Sequence, residues 1–133
     1  MDNKIFDLEG KTYYIEGELK LNKGGSTIRN GNLLFGTGES RIYVFLSDDP
    51  KIENIKIENI NIDGKSIAQE GIHVAFGKNI IIRDCEICNM VTVDSTGTCG
   101  IMVSTCENVT IENCYVHDIK AHYIEGISGT NIA

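Results

Sequence analysis

Apolar and polar residues alternate with a period of two along residues 108–119, NVTIENCYVHDI, and the same alternation returns at NIIIRDCEICNM (79–90), NIKIENINIDG (54–64) and STIRNGNLLF (26–35). A period of two predicts strands with one face in a core and one in water. Aligned, the copies form four columns. The first is Ile28, Ile57, Ile82 and Ile111; the second Asn30, Asn59, Asp84 and Asn113; the third Gly31, Ile60, Cys85 and Cys114; the fourth Leu33, Ile62, Ile87 and Val116. Steps of 29, 25 and 29 residues between copies are the repeat length of a solenoid.

The alternation slips by one where the Asn meets the next residue, as at Asn113-Cys114. Such a slip predicts a sharp bend, with the Asn side chain expected to turn inside and bond backbone groups that the bend frees. Stacked at the strand spacing of roughly 4.8 Å, the bends would build a ladder of Asn and Asp side chains over a column of small or aliphatic ones.

A second set of strands lines up on glycine: GIHVAF at 71–76, GIMVST at 100–105 and GISGTN at 126–131, with RIYVFL at 41–46 as a looser copy. Each coil then holds a G-I-x-V strand, a short turn such as Gly77-Lys78, an N-x-x-I strand, the Asn bend and a third short strand. Long turns of variable length, Gly64–Glu70, Asn89–Cys99 and Ile119–Glu125, close the coils and account for the drifting period.

These tandem copies resemble the repeats of the pectate-lyase-like superfamily, phage tailspikes included, over about residues 12–133. The resemblance implies an all-β fold, a right-handed single-stranded parallel β-helix. About four coils are expected, with an N-terminal opening strand pair and an uncapped C-terminal end. One domain is expected over residues 1–133, with an N-terminal cap and opening strands in 1–24 and repeat coils in 25–133, as the N-terminal part of a longer chain. The chain stops at Ala133 part-way through a coil, and that end is expected to be covered by a contiguous downstream β-helix or by other copies in a trimer.

Composition narrows the partners. The 133 residues carry a net charge of −7 and a 41% hydrophobic fraction, so an anionic membrane or a nucleic acid is not an expected partner. No run reaches the roughly 18 apolar residues of a membrane span. MDNKIFDLEG lacks the apolar stretch of a secretory leader, which points to cytoplasmic synthesis followed by a virion or extracellular location. The five cysteines, Cys85, Cys88, Cys99, Cys106 and Cys114, are odd in number, and Cys85 and Cys114 share an interior column, so they are expected to be structural thiols. Ser47-Asp48-Asp49-Pro50 reads as a solvated acidic loop.

The resemblance also implies a sugar-binding groove along the G-I-x-V strands and the long turns beside them. Outward residues of those strands are Tyr43, His73, Met102 and Ser128. Glycoside hydrolysis needs two facing carboxylates, and β-elimination needs a base with something to neutralise a uronate. The candidate catalytic residues are therefore Glu70, His73, Asp94 and Glu125, and the candidate polysaccharide-binding residues Tyr43, His122 and Tyr123. No metal ligands are assigned and no cofactor is expected, Ca²⁺ entering only for a lyase. A carbohydrate-associated module of the tailspike or depolymerase kind is the expected function, lyase and hydrolase both remaining open. The alternative is a non-enzymatic structural or adhesive module of a virion tail or surface fibre.

Overall fold

A computed structural model describes residues 4–45, 52–92, 97–120 and 123–132, with residues 97, 123–125 and 130–132 described by their backbone. The repeat columns become physical stacks. Ile28 pairs in register with Ile57, Ile57 with Ile82 and Ile82 with Ile111. Leu33 pairs with Ile62, Ile62 with Ile87 and Ile87 with Val116. All of these pairings are parallel, so the chain winds as an all-β parallel solenoid.

Three strand stacks form its sides. On the first side β3 (Glu18–Leu21), β5 (Arg41–Val44), β7 (Glu70–Val74), the start of β10 (Gly97–Glu112) and β12 (Tyr123–Ile132) lie one above another. These are the G-I-x-V strands. On the second side β1 (Lys4–Asp7), the start of β4 (Ser26–Phe35), the start of β6 (Ile52–Asp63), β8 (Gly77–Arg83) and the end of β10 follow one another. The third side holds β2 (Thr12–Ile15), the ends of β4 and β6, β9 (Glu86–Val91) and β11 (Tyr115–Lys120). The alternating residues meet in one core, in which Ile42, Ile55, Ile57, Ile60, Ile72, Ile80, Ile82, Ile87 and Phe35 are fully buried.

The bend between the second and third sides is where the sequence pattern slipped, but its cause differs from the expectation. Asn30, Asn59, Asp84 and Asn113 have φ of 61°, 52°, 55° and 50°. A left-handed residue turns the strand by itself, and Asn and Asp tolerate that conformation better than other side chains. Their side chains point out, not in: Asn59 donates from Nδ2 to Asn30 Oδ1 at 2.9 Å, and Asn113 to Asp84 Oδ1 at 2.6 Å, both exposed. The ladder therefore satisfies side chains along the solenoid axis, while the backbone is satisfied by the sheets.

A second left-handed column, Asn54, Asn79 and Asn108, marks another bend that the alternation did not announce. Asn79 Nδ2 donates to Asn54 Oδ1 at 3.3 Å and Asn108 Nδ2 to Asn79 Oδ1 at 2.7 Å. Beside the first ladder runs a column of alternating charge, Asp7, Arg29, Glu58, Arg83 and Glu112 in register. Arg29 Nε lies 3.2 Å from Asp7 Oδ2, and Arg83 Nη2 2.8 Å from Glu58 Oε2. Exposed pairs of this kind add little stability. They do oppose a register slip, which would also turn every core side chain to water.

All five cysteines are free thiols. Cys85, Cys99 and Cys106 are buried, and burial pushes the Cys85 thiol up to about 12. The Cys85 and Cys114 thiols reach the carbonyl oxygens of Ile57 and Ile82 at 3.8 Å each, the behaviour of small core residues with a weak donor.

Candidate functional site

The outer face of the first side gathers one charged cluster, with Arg41 at its centre. The in-register pairing of β3 with β5 puts Glu18 beside Arg41, and β7 brings Glu70 and His73 to the next rung. Arg41 donates from Nε to Glu18 Oε2 at 2.7 Å and from Nη1 to Glu70 Oε1 at 2.9 Å, with Nη2 2.5 Å from Glu18 Oε2. Its guanidinium carbon also lies 3.8 Å from the centroid of the Tyr43 ring. Tyr43 stacks on Phe45 with centroids 5.3 Å apart and 8° between planes, and tilts against His73 at 5.2 Å. The guanidinium is thereby held by both charge and π-face, which a lysine would not reproduce.

His73 Nδ1 accepts a hydrogen bond from Arg41 Nη1 at 2.9 Å and also lies 2.9 Å from Glu70 Oε2. That buried oxygen has no hydrogen-bond partner, so Glu70 faces the His73 ring without a hydrogen bond to it. Burial pushes the Glu70 carboxyl up, while the neighbouring His73 and Arg41 more than offset it and hold the group below its usual value. Glu70 is thus ionised at neutral pH, not a proton donor. A cleft of about 290 Å³ opens next to it, lined by Glu18, Glu39, Ser40, Arg41, Gln69 and Glu70 among others.

Of the residues singled out in the sequence, Tyr43, Glu70 and His73 come together here. The backbone of Glu125 pairs with Cys99, which pairs with Glu70, so Glu70 and Glu125 stand two rungs apart, about 10 Å at the usual strand spacing. Tyr123 lies two residues before Glu125 on the same strand, its backbone paired with Gly97. Asp94, His122 and the acidic loop Ser47–Pro50 lie outside the described residues. Among the described residues no group of three His, Cys, Asp or Glu side chains is placed to hold a metal ion.

The family model described as "Right handed beta helix region" matches residues 2–132. The chain belongs to the right-handed β-helix family. No curated protein and no solved structure matches it.

Two parts of this β-helix site were missed in the sequence. Neither Arg41 nor Glu18 is among the candidate residues that the sequence pattern singles out. A signal for both existed: ELKL at 18–21 is one more loose copy of the strand that reads RIYV at 41–44, and stacking the two copies sets the acid on the base.

The β-helix carries a second histidine cluster on its third side. His117 Nδ1 is 2.7 Å from Asp118 Oδ2 and Nε2 is 2.9 Å from Glu86 Oε2. Both ring nitrogens face carboxylates, so both donate only as imidazolium. The hydrogen bonds to Asp118 and Glu86 accordingly push its pKa above 6.5. A raised folded-state pKa contributes stability that is fully present below the unfolded value of about 6.5 and is lost as pH rises through the folded value. His117→Asn is expected to lower the melting temperature at pH 5.5 by on the order of 2 °C, the site being solvent-screened. At pH 9 the variant and the parent should melt together. An equal deficit at both pH values would show that packing, not charge, is what His117 contributes.

Proposed function

We propose that this β-helix is a carbohydrate-associated module of the tailspike or polysaccharide-depolymerase kind, binding an extended glycan along the outer face of its G-I-x-V strands. The observation that carries the reading is the outer-face cluster in which Glu70 and His73 stand 2.9 Å apart beside Arg41 and Tyr43. Tyr43 and Phe45 offer aromatic surface beside it. Five free thiols fit synthesis in a reducing compartment.

Among cleavage chemistries the arrangement favours proton abstraction over hydrolysis. Glu18 and Glu70 are both tied to Arg41, so they do not face one another across an open space as a hydrolytic carboxylate pair requires. In an elimination His73 takes the proton α to a uronate carboxyl, the freed electron pair forms the C4–C5 double bond, and the glycosidic oxygen leaves from C4 and is protonated by solvent. The charge of Arg41 next to the base would offset part of the developing negative charge.

A panel of capsular and pectin-type polysaccharides, followed by absorbance near 235 nm and by reducing ends, tests the reading. The active chain should yield unsaturated product, and His73→Asn and Glu70→Gln should each lower the rate by about 10²–10⁴-fold while binding persists. Binding without any product would move the module to the second reading, an adhesive or structural piece of a tail or fibre. One observation favours that reading: each nitrogen of Arg41 is already engaged by Glu18, Glu70 or His73.

A further inference from the structure

The Asn ladder between the second and third sides contains one fault. Along it each side chain donates Nδ2 to the oxygen one rung earlier: Asn59 to Asn30, and Asn113 to Asp84. Asp84 is a carboxylate and has no hydrogen to donate to Asn59 Oδ1. No hydrogen bond joins the Asn59 and Asp84 side chains, and the ladder is interrupted at this rung. An all-Asn column would have carried the ladder through unbroken.

The fault sits in the floor of a groove of about 640 Å³ that runs along the solenoid axis. Glu58 and Arg83 stand on one wall, and Asn61, Glu86 and Tyr115, in register on successive strands, on the other. Tyr115 is 63% exposed and is held in place. Its ring stacks on His117 with centroids 4.2 Å apart, and His117 is in turn clamped between Glu86 and Asp118.

From these observations we propose that the corner groove is a second ligand site, for a neutral glycan segment. Sugar hydroxyls can donate to the exposed Asn59 Oδ1 and Asp84 carboxylate at the interruption, and they accept as well as donate, which suits a floor of carboxamides. The preordered Tyr115 ring offers a face for the apolar C–H side of a pyranose, its ordering cost already met by His117. Charge selects against acidic sugars: the groove is lined by Glu58, Asp84 and Glu86 against Arg83 alone, which Glu58 already pairs. The site shares with the proposed function the assignment of a glycan ligand, and it lies on a different side of the solenoid from Glu70 and His73.

Isothermal titration of the intact chain with neutral cello-, manno- and malto-oligosaccharides, and with oligogalacturonates, is the test. At least one neutral series should bind. Tyr115→Ala should weaken it by about tenfold or more, in line with loss of an aromatic contact. Asp84→Asn is the sharper variant, because it restores the missing donor: it should raise the melting temperature and weaken the same binding. Glu70→Gln and His73→Asn should leave this binding unchanged. The groove is refuted if no neutral series binds, if neutral binding survives both Tyr115→Ala and Asp84→Asn, or if Asp84→Asn lowers the melting temperature. Oligogalacturonate binding that responds only to Glu70→Gln and His73→Asn would likewise refute the groove and leave the proposed function standing.

Discussion

Ile57→Ala is expected to destabilise the protein by about 2–5 kcal/mol, read as a fall in the urea midpoint with little change in the slope. Ile57 is 0% exposed and sits between Ile28 and Ile82 in its column. Its backbone is hydrogen-bonded in a ladder to strands on both sides, so the neighbouring rungs cannot close over the lost methyl groups. The cost therefore includes both the transfer of the deleted atoms and the cavity they leave. Ile57→Val removes one methylene and should cost about 0.5–1.5 kcal/mol. Ile5→Ala is the control: Ile5 is 57% exposed on the first strand of its stack, and its loss should stay within about 0.5 kcal/mol. Equal losses at Ile57 and Ile5 would contradict the stacked core.

Gly71→Ala should cost about 3 kcal/mol, the upper end of what overpacking incurs. The reason is not backbone freedom but space. A Cβ at Gly71 would lie 2.6 Å from the Gly100 carbonyl oxygen on the next strand and 2.6 Å from Ile87 Cγ2 in the core. The carbonyl is held between stacked strands and cannot swing aside as a flexible side chain would. A similar approach recurs at Gly100, where a Cβ would lie 3.0 Å from the Gly126 carbonyl oxygen, but not at Gly126, whose nearest neighbour would be 3.7 Å away. Gly38→Ala gives the comparison, since its nearest neighbour, the Ile67 carbonyl oxygen, would be 3.7 Å from the new carbon. That variant should melt with the parent, and thermal unfolding followed by circular dichroism separates the two. A Gly71→Ala protein as stable as the parent would mean that the strands of the first side are farther apart than described.

The aliphatic columns were legible because a buried position tolerates few side chains. Ile57 and Ile82 each face the core on adjacent rungs, so the same demand for volume is written twice in the chain. The Asn column was legible as a bend for a related reason: few side chains accept φ near +55°. Which way those carboxamides point was not legible, because an Asn at such a bend can bond the backbone or its stacked neighbour equally well in principle. The in-register stack decided for the neighbour by bringing Asn30 Oδ1 to 2.9 Å from Asn59 Nδ2.

At the candidate site the same division holds. Tyr43, Glu70 and His73 stood out as outward or turn residues, yet Glu70 and His73 meet Arg41 across 29 and 32 residues, and Arg41 meets Glu18 across 23. No local pattern reports a contact of that range. His117 carries no distinguishing signal in the sequence, and its two carboxylates became apparent once β11 lay against β9.

By itself the sequence determined the parallel winding, the core columns and the glycine-led strands, because each depends on a residue's own volume, polarity or backbone tolerance repeated at every rung. Only the tertiary structure decided which charges meet around Arg41, and that the Asn and Asp side chains of the column bond one another along the axis. Those outcomes depend on how rungs distant in the chain are stacked, and a distance of 2.9 Å between side chains from different turns is set by the register of the whole solenoid.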